Sequence, residues 1–430
     1  MEGQNGIENM NVVVEQEVHM HTEKKGNASF LKGFLLGMAV ILVMISGIAT
    51  IGYTMFKSGG YVITSFKLDE ELTADVLSEP VQMKVAEVLS ALSTYYYMDL
   101  NEAELAEGMY RGLVAALGDA YTTYYTKEEY AEYRTSASGV YYGIGTVLSQ
   151  DLNTGIITIT RVYKGSPAEE AGLKAGDIFL SAAGVSAEGM DISEFVSYVK
   201  GDQGTKVEIV VNRNGEELTF EVERRKVEVP TVESQMLEGG VGYLQILEFD
   251  EITTQQYNDA IISLRKSGMK SLVIDLRDNP GGRLDVVVSI LDSILPDGMI
   301  VYTEDKYGNR SEYKSRDGKE LGIPLVVLVN ENSASASEIF AGAVKDYQYG
   351  TIVGTTTFGK GIVQIILPLS DGSAVKITTS RYYTPNGNYI HGVGIEPDVE
   401  LEYDYLGDPK QDYDIMQDNQ VLKALELLKK

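Results

Sequence analysis

Three patches of this chain gather residue types suited to chemistry: Asp275-Leu276-Arg277-Asp278-Asn279-Pro280-Gly281-Gly282, then Asn330-Glu331-Asn332-Ser333-Ala334-Ser335-Ala336-Ser337-Glu338, then Gly354-Thr355-Thr356-Thr357-Phe358-Gly359-Lys360-Gly361-Ile362-Val363-Gln364. Each follows an apolar run that reads as a strand, and clefts in layered strand-and-helix folds gather at strand carboxyl ends. A serine hydroxyl is a weak nucleophile until a base takes its proton. A lysine can be that base only when burial pushes its pKa well below the usual value of about 10.4. Phe358, Ile362 and Val363 flank Lys360 and are expected to supply the burial. Ser335 stands just before a helix expected over 337–347, where unpaired backbone N–H groups and the helix dipole favour a developing negative charge.

Each patch alone also has a plainer reading. Ser335-Ala336-Ser337-Glu338 fits a capping box, in which the serine only caps the helix. Gly354 to Lys360 fits the G-x-x-x-x-G-K of a phosphate-binding loop. Against nucleotide, Gly361 replaces the magnesium-holding Ser or Thr, and Gly361 to Ile366 reads as strand where a phosphate-binding loop demands a helix. There is no cysteine, and of the three histidines, His19, His21 and His391, only the last follows the long apolar segment. A cysteine nucleophile is excluded and a Ser-His-Asp triad is disfavoured. His391 is expected in a structural or substrate-side place. The formal charge of −27 repels phosphates, so nucleic acid is not expected as a partner.

Positioning these patches requires an α/β layer over 227–405. Buried runs such as Leu272 to Leu276 and Leu325 to Val329 alternate with helices expected over 284–295 and 337–347, which implies some parallel pairing. Upstream the period changes. Strands are expected at 145–148, 156–159, 207–211 and 218–222, with a helix over 192–199 and a type I′ hairpin at Asn214-Gly215. Residues 74–135 read as helices. Within them, the tyrosine-rich stretch Tyr121 to Tyr133 is read as core or interface and given no chemistry.

Ser166-Pro167-Ala168-Glu169-Glu170-Ala171-Gly172-Leu173-Lys174-Ala175-Gly176-Asp177 resembles a PDZ domain of the bacterial protease type. Small Ala168, Ala171 and Gly172 would let a short helix lie close to a sheet, and Gly176-Asp177 suits a turn into a buried Ile178 strand. The earlier Tyr142-Gly143-Ile144-Gly145 matches the glycine loop of that family. The resemblance implies that backbone at Gly143, Ile144 and Gly145 receives a peptide's C-terminal carboxylate while the peptide adds as a strand.

From about residue 80 onward, the three patches in their order resemble the C-terminal processing peptidases, the tail-specific serine proteases of family S41. The resemblance implies Ser335 as nucleophile, Lys360 as general base and Gln364 as the residue that positions the lysine. The N–H of Ala336, with one from Gly281 or Gly282, would form the oxyanion hole, where glycine lets bare backbone approach a carbonyl. On an extended strand Lys360 and Gln364 would stand about 13 Å apart, so the chain must depart from regular strand for them to meet. No cofactor and no metal is expected. The expected fold class is α/β and β multidomain: a single transmembrane helix, a helical lead-in, a PDZ-like domain and a ClpP/crotonase-like α/β protease core.

The corresponding boundaries are 1–32 cytoplasmic, 33–56 transmembrane, 57–137 helical, 138–226 PDZ, 227–405 peptidase and 406–430 a C-terminal helical tail. Gly33 to Phe56 carries no charge and as a helix reaches roughly 36 Å. Lys24, Lys25 and Lys32 precede it and only Lys57 follows closely, which sends the remainder outside the cytoplasm. Cleavage at Gly47-Ile48-Ala49 is the rival reading. The expected partners are protein substrates with unstructured C-termini, the membrane, and a second copy of the chain paired through residues 74–135 and the tail around Asp418 to Leu425. The activity expected is ATP-independent endoproteolysis, with the PDZ module gating it by shifting populations on ligand binding. The alternative is a catalytically dead protease fold that serves as a PDZ-bearing binding protein.

Overall fold

The computed structural model describes residues 70–316, 318, 320–408 and 411–429. The chain enters through three helices, α1 (Glu70–Val76), α2 (Glu79–Tyr95) and α3 (Glu102–Ala115). The Asn101 side chain caps α3 by accepting from the N–H of Ala103 and Glu104. Neither α2 nor α3 has a buried residue. The tyrosine-rich stretch then makes a strand, β1 (Thr123–Tyr125), before α4 (Lys127–Ser138). A reciprocal Thr126/Glu129 capping box starts α4 and left-handed Gly139 ends it.

The PDZ module follows. β2 (Val140–Gly143) pairs with β9 (Arg225–Glu228) and closes the module at its root. Its sheet runs in the order β3 (Thr146–Gln150), β4 (Ile157–Val162), β5 (Ile178–Ala182), β7 (Lys206–Arg213) and β8 (Glu216–Glu223), with the two-residue β6 (Val185–Ser186) beside β5. Asn214 and Gly215 have φ of 56° and 90°, as the type I′ hairpin requires. The short helix α5 (Pro167–Ala171) buries Ala168, and α6 (Ile192–Val199) turns Phe195 and Val199 onto Phe179, Ile159 and Ile209. Ile178 is only half-buried and Phe179 takes the inward place. Buried Asp177 beside it pairs with Arg213.

The peptidase core holds a six-stranded sheet in the order β10 (Val232–Leu237), β11 (Val241–Ile246), β12 (Ser271–Asp275), β15 (Leu325–Val329), β16 (Thr351–Gly354) and β19 (Val399–Glu400). β10 is antiparallel to β11, and from β11 onward the pairing is parallel. Every residue of β12 and β15 is buried because both faces are covered. One face packs under α7 (Thr253–Lys266), α8 (Leu284–Asp292) and α9 (Ala336–Asp346). On the other face Val273, Val326 and Leu328 meet Val421, Ala424 and Leu425 of α10 (Asn419–Leu428).

The apolar side of α10 is thus covered within its own chain, at about 1.5–3 kcal/mol per large side chain. A second sheet has the order β1, β18 (Ala374–Tyr383), β13 (Gly298–Asp305), β14 (Arg310–Ser315), with β17 (Ile362–Pro368) on the other side of β18. No helix among the described residues is long and apolar enough to cross a membrane, and the span expected over 33–56 lies outside them.

Candidate active site

The first two patches are stitched together by backbone and short side chains. Asn279 is fully buried. Its carbonyl accepts from Ala334 N (3.0 Å) and Ser337 Oγ (3.0 Å), its Nδ2 donates to Ile246 O (2.8 Å), and its Oδ1 accepts from Gly281 N (2.8 Å). Ser333 Oγ donates to Leu276 O at 2.7 Å. These bonds hold Ser335 at φ 54°, ψ −109°, outside the extended region an ordinary N-cap adopts. Such a backbone costs about 1–3 kcal/mol and persists only where its surroundings enforce it. The buried Tyr382 helps by donating its hydroxyl to Ser335 O at 3.0 Å. Ser335 is therefore more than a helix cap.

Gly281 lies against the serine. A Cβ there would stand 2.8 Å from Ser335 Cβ and 3.0 Å from Ala336 N. Gly282 is equally confined, by the backbone of Phe249. Of the three N–H groups expected at an oxyanion hole, that of Gly281 is engaged by Asn279, whereas those of Ala336 and Gly282 have no partner among the hydrogen bonds of the described residues.

The Ser335 and Lys360 patches meet on Glu338, whose spacing in the sequence is that of a helix cap. Glu338 is 0% exposed. Its Oε2 accepts from Ser335 N and Lys360 N, both at 2.8 Å, and its Oε1 from Gly359 N (2.6 Å) and Thr357 Oγ1 (2.7 Å). Each oxygen takes two donors, so one carboxylate fixes the spacing of the two loops. The only signal for it in the sequence was the Ser-x-x-Glu spacing.

Lys360 is half-buried, and burial, reinforced by Lys376, pushes its pKa down against the opposing pull of Glu338 and Asp119. Phe358 does not contribute as expected, being 56% exposed; Ile362 is buried. The platform comes instead from far away in sequence, with Lys360 Nζ 4.9 Å from the centre of the Tyr121 ring. Tyr124 of the same stretch is buried, in the core place expected of it. His391 packs on Tyr121 and its Nδ1 accepts from Gly361 N, a structural place. β17, not a helix, follows Lys360, so the phosphate-binding loop is not formed.

A bulge between Val363 and Gln364 breaks the strand regularity, as the spacing required. Yet the Gln364 side chain donates to Thr378 Oγ1 at 3.4 Å, and its hydrogen bond goes to that threonine and not to Lys360. Among the described residues no group of three or more His, Cys, Asp or Glu is arranged to hold a metal.

In the PDZ module, Gly143 and Ile144 line a groove of about 380 Å³ between β3 and α6, walled by Val147, Leu148, Val196 and Val199; Gly145, the third residue expected there, does not line it and stands against Ser166. The N–H groups of Gly145 and Thr146 face the Tyr141 hydroxyl. The groove is not made by the PDZ module alone, because Glu248 and Asp250 of the peptidase core also line it. Burial, with the charge of Glu248 beside it, pushes Asp250 up to about 7.

Residues 240–401 match the family model of peptidase family S41, and residues 158–213 that of the PDZ domain. The chain is 35% identical over 401 residues to a probable CtpA-like serine protease of Staphylococcus saprophyticus, covering 90% of this chain and 78% of that protein. It is 34% identical over 376 residues to the carboxy-terminal processing protease CtpA of Bacillus subtilis, covering 87% and 79%. Among solved structures, the photosystem II D1 C-terminal processing protease is similar with a TM-score of 0.45 and 31% identity, over 74% of this chain and 88% of that one.

Proposed function

This chain belongs to the C-terminal processing serine proteases of peptidase family S41, and from that premise we propose that Ser335 is its nucleophile and Lys360 its general base. The observation that carries this reading is Glu338, which holds the backbone of both residues on one buried carboxylate oxygen. Lys360, its charged form disfavoured by burial, takes the proton of Ser335 Oγ as the oxygen attacks the scissile carbonyl. The unpaired N–H groups of Ala336 and Gly282 receive the oxyanion, and the lysine then protonates the leaving amine. Water on the same base resolves the acyl-enzyme. Gln364 lines the base side of the site through Thr378.

The groove at Gly143 and Ile144 captures the C-terminus of an unstructured protein, apolar side chains filling the wall between β3 and α6. The uncharged stretch Gly33 to Phe56 anchors the enzyme, with the peptidase outside the cytoplasm. The test is turnover of an unfolded protein by the full chain in detergent. Ser335→Ala is expected to abolish hydrolysis and labelling by an acylating serine probe. Hydrolysis that survives the substitution would overturn the mechanism.

A further inference from the structure

The site has a third wall. Gly118 ends the turn after α3, and the loop that follows, Asp119 to Thr122, leads into β1, which pairs with β18 in the register Thr123↔Lys376. That register sets the loop beside Thr378, the residue that receives Gln364. Thr378 N donates to Thr122 Oγ1 at 3.1 Å, and Thr122 Oγ1 donates to Asp119 Oδ2 at 2.6 Å. Tyr121 N donates to Asp119 Oδ1 at 3.0 Å, and the ring of the same tyrosine lies under Lys360 Nζ. This four-residue loop thus touches Lys360 through Tyr121 and, through Thr122, the threonine that receives Gln364.

We infer that Asp119 is a positioning residue of the peptidase, orienting Gln364 through Thr122 and Thr378 and stabilising the ammonium that forms on Lys360 when it takes the serine proton. The inference rests on Lys360 being the base. The charged groups facing Lys360 are Glu338 from α9, Lys376 from β18 and Asp119 from the loop, with Tyr121 in contact and His391 behind it. Lys376 opposes a second positive charge. Glu338 favours it, but all its acceptor positions are filled by the four donors that fix the loops. Asp119 retains acceptor capacity. Burial works to raise it, yet hydrogen bonds from Thr122, Thr378 and the Tyr121 N–H hold it below the usual carboxylate range, so it stays ionised in the working range. This is the part an aspartate plays for the histidine of a triad, ordering the base and answering the charge that develops on it.

The test uses the full chain and an unstructured peptide substrate, with Lys360→Ala, Asp119→Asn and Asp119→Ser compared across pH. An anionic neighbour favours the charged lysine. Removing it is expected to move the acid limb of kcat/KM to lower pH, by about half a pH unit or more, while kcat on the alkaline plateau falls about tenfold. A loss of activity without movement of the limb would reduce Asp119 to a structural role and overturn the inference. Loss of folding in both Asp119 variants would do the same. Activity retained in Lys360→Ala would instead remove the reading of Lys360 as base, a distinct failure.

Discussion

Two buried carboxylates stand at two junctions of this molecule and are treated in opposite ways. Glu338 joins the Ser335 loop to the Lys360 loop and receives four hydrogen bonds, two on each oxygen. Asp250 joins the PDZ groove to the peptidase core, is 7% exposed, and has no donor to its carboxylate among the hydrogen bonds of the described residues. A carboxylate whose lone pairs are filled fixes the geometry around it. One left without donors is a standing electrostatic cost that a proton, or a change in the groove, can relieve. Phe249 links the two junctions, since its N–H donates to Gly281 O and its carbonyl accepts from Arg283 N, both at 2.8 Å. The residue beside Asp250 therefore holds the glycine pair against Ser335.

The largest break in this contrast should come from Glu338→Ala. It leaves the N–H groups of Ser335, Gly359 and Lys360 and the hydroxyl of Thr357 without their acceptor, and each buried orphan costs about 1–3 kcal/mol. A loss of roughly 4 kcal/mol or more in urea unfolding is expected, together with loss of hydrolysis. Glu338→Gln, which keeps one acceptor oxygen, should fall between. A stability change under about 1 kcal/mol would show that the fourfold contact is not holding the loops.

The opposite sign is expected at the other junction. Asp250 titrates near 7 in the fold against about 3.9 in an unfolded chain. The folded state binds the proton more tightly, so stability from this group falls as pH rises from about 4 through 7. Asp250→Asn should therefore stabilise the protein at pH 8, by about 1 kcal/mol once solvent screening at the groove and the cost of burying the amide are discounted, and by almost nothing at pH 4. Urea unfolding at the two pH values measures it. An equal effect at both would mean the carboxylate carries no such cost.

The two junctions also differ in how far they could be read from the sequence. That Ser335, Lys360 and the glycine pair follow strand ends was legible because each sits in a compact motif after an apolar run, and β12, β15 and α6 were legible from unbroken apolar runs and helical spacing. The hairpin at Asn214-Gly215 announced itself in two residues. Glu338 was half legible: its spacing to Ser335 gives a cap, but its bonds to Thr357, Gly359 and Lys360 depend on how two loops fold back on each other. Tyr121 and Asp119 were invisible for a stronger reason, since they reach the site only through the pairing of β1 with β18. For α10 the helical tail was legible but its packing on β12 and β15 was not, because a helical pattern shows that a face must be covered and not by what. Asp250 carries no motif at all. Its character comes from burial beside Glu248, which only the packing of core against groove creates.

The smallest expected effect is also the one that joins the contrast to substrate capture. A peptide entering the groove at Gly143 and Ile144 brings a carboxylate into a space lined by Glu132, Glu248 and Asp250, with Lys200 the cation on the same wall and Arg283 drawing on Asp250 from the core. At pH 6 Asp250 is mostly protonated and adds no repulsion. At pH 8 it is ionised, and a second negative charge in a partly desolvated groove weakens binding. The Kd of an apolar-ended peptide, read by fluorescence anisotropy on the Ser335→Ala protein, is expected to be about five- to tenfold weaker at pH 8 than at pH 6, roughly 1 kcal/mol. In an added Asp250→Asn background the difference should vanish. The same pH slope in both backgrounds would detach Asp250 from the groove's ligand and leave its cost to folding alone. A slope that disappears would make the unpaired carboxylate a part of recognition, with Phe249 its shortest route to the glycine pair.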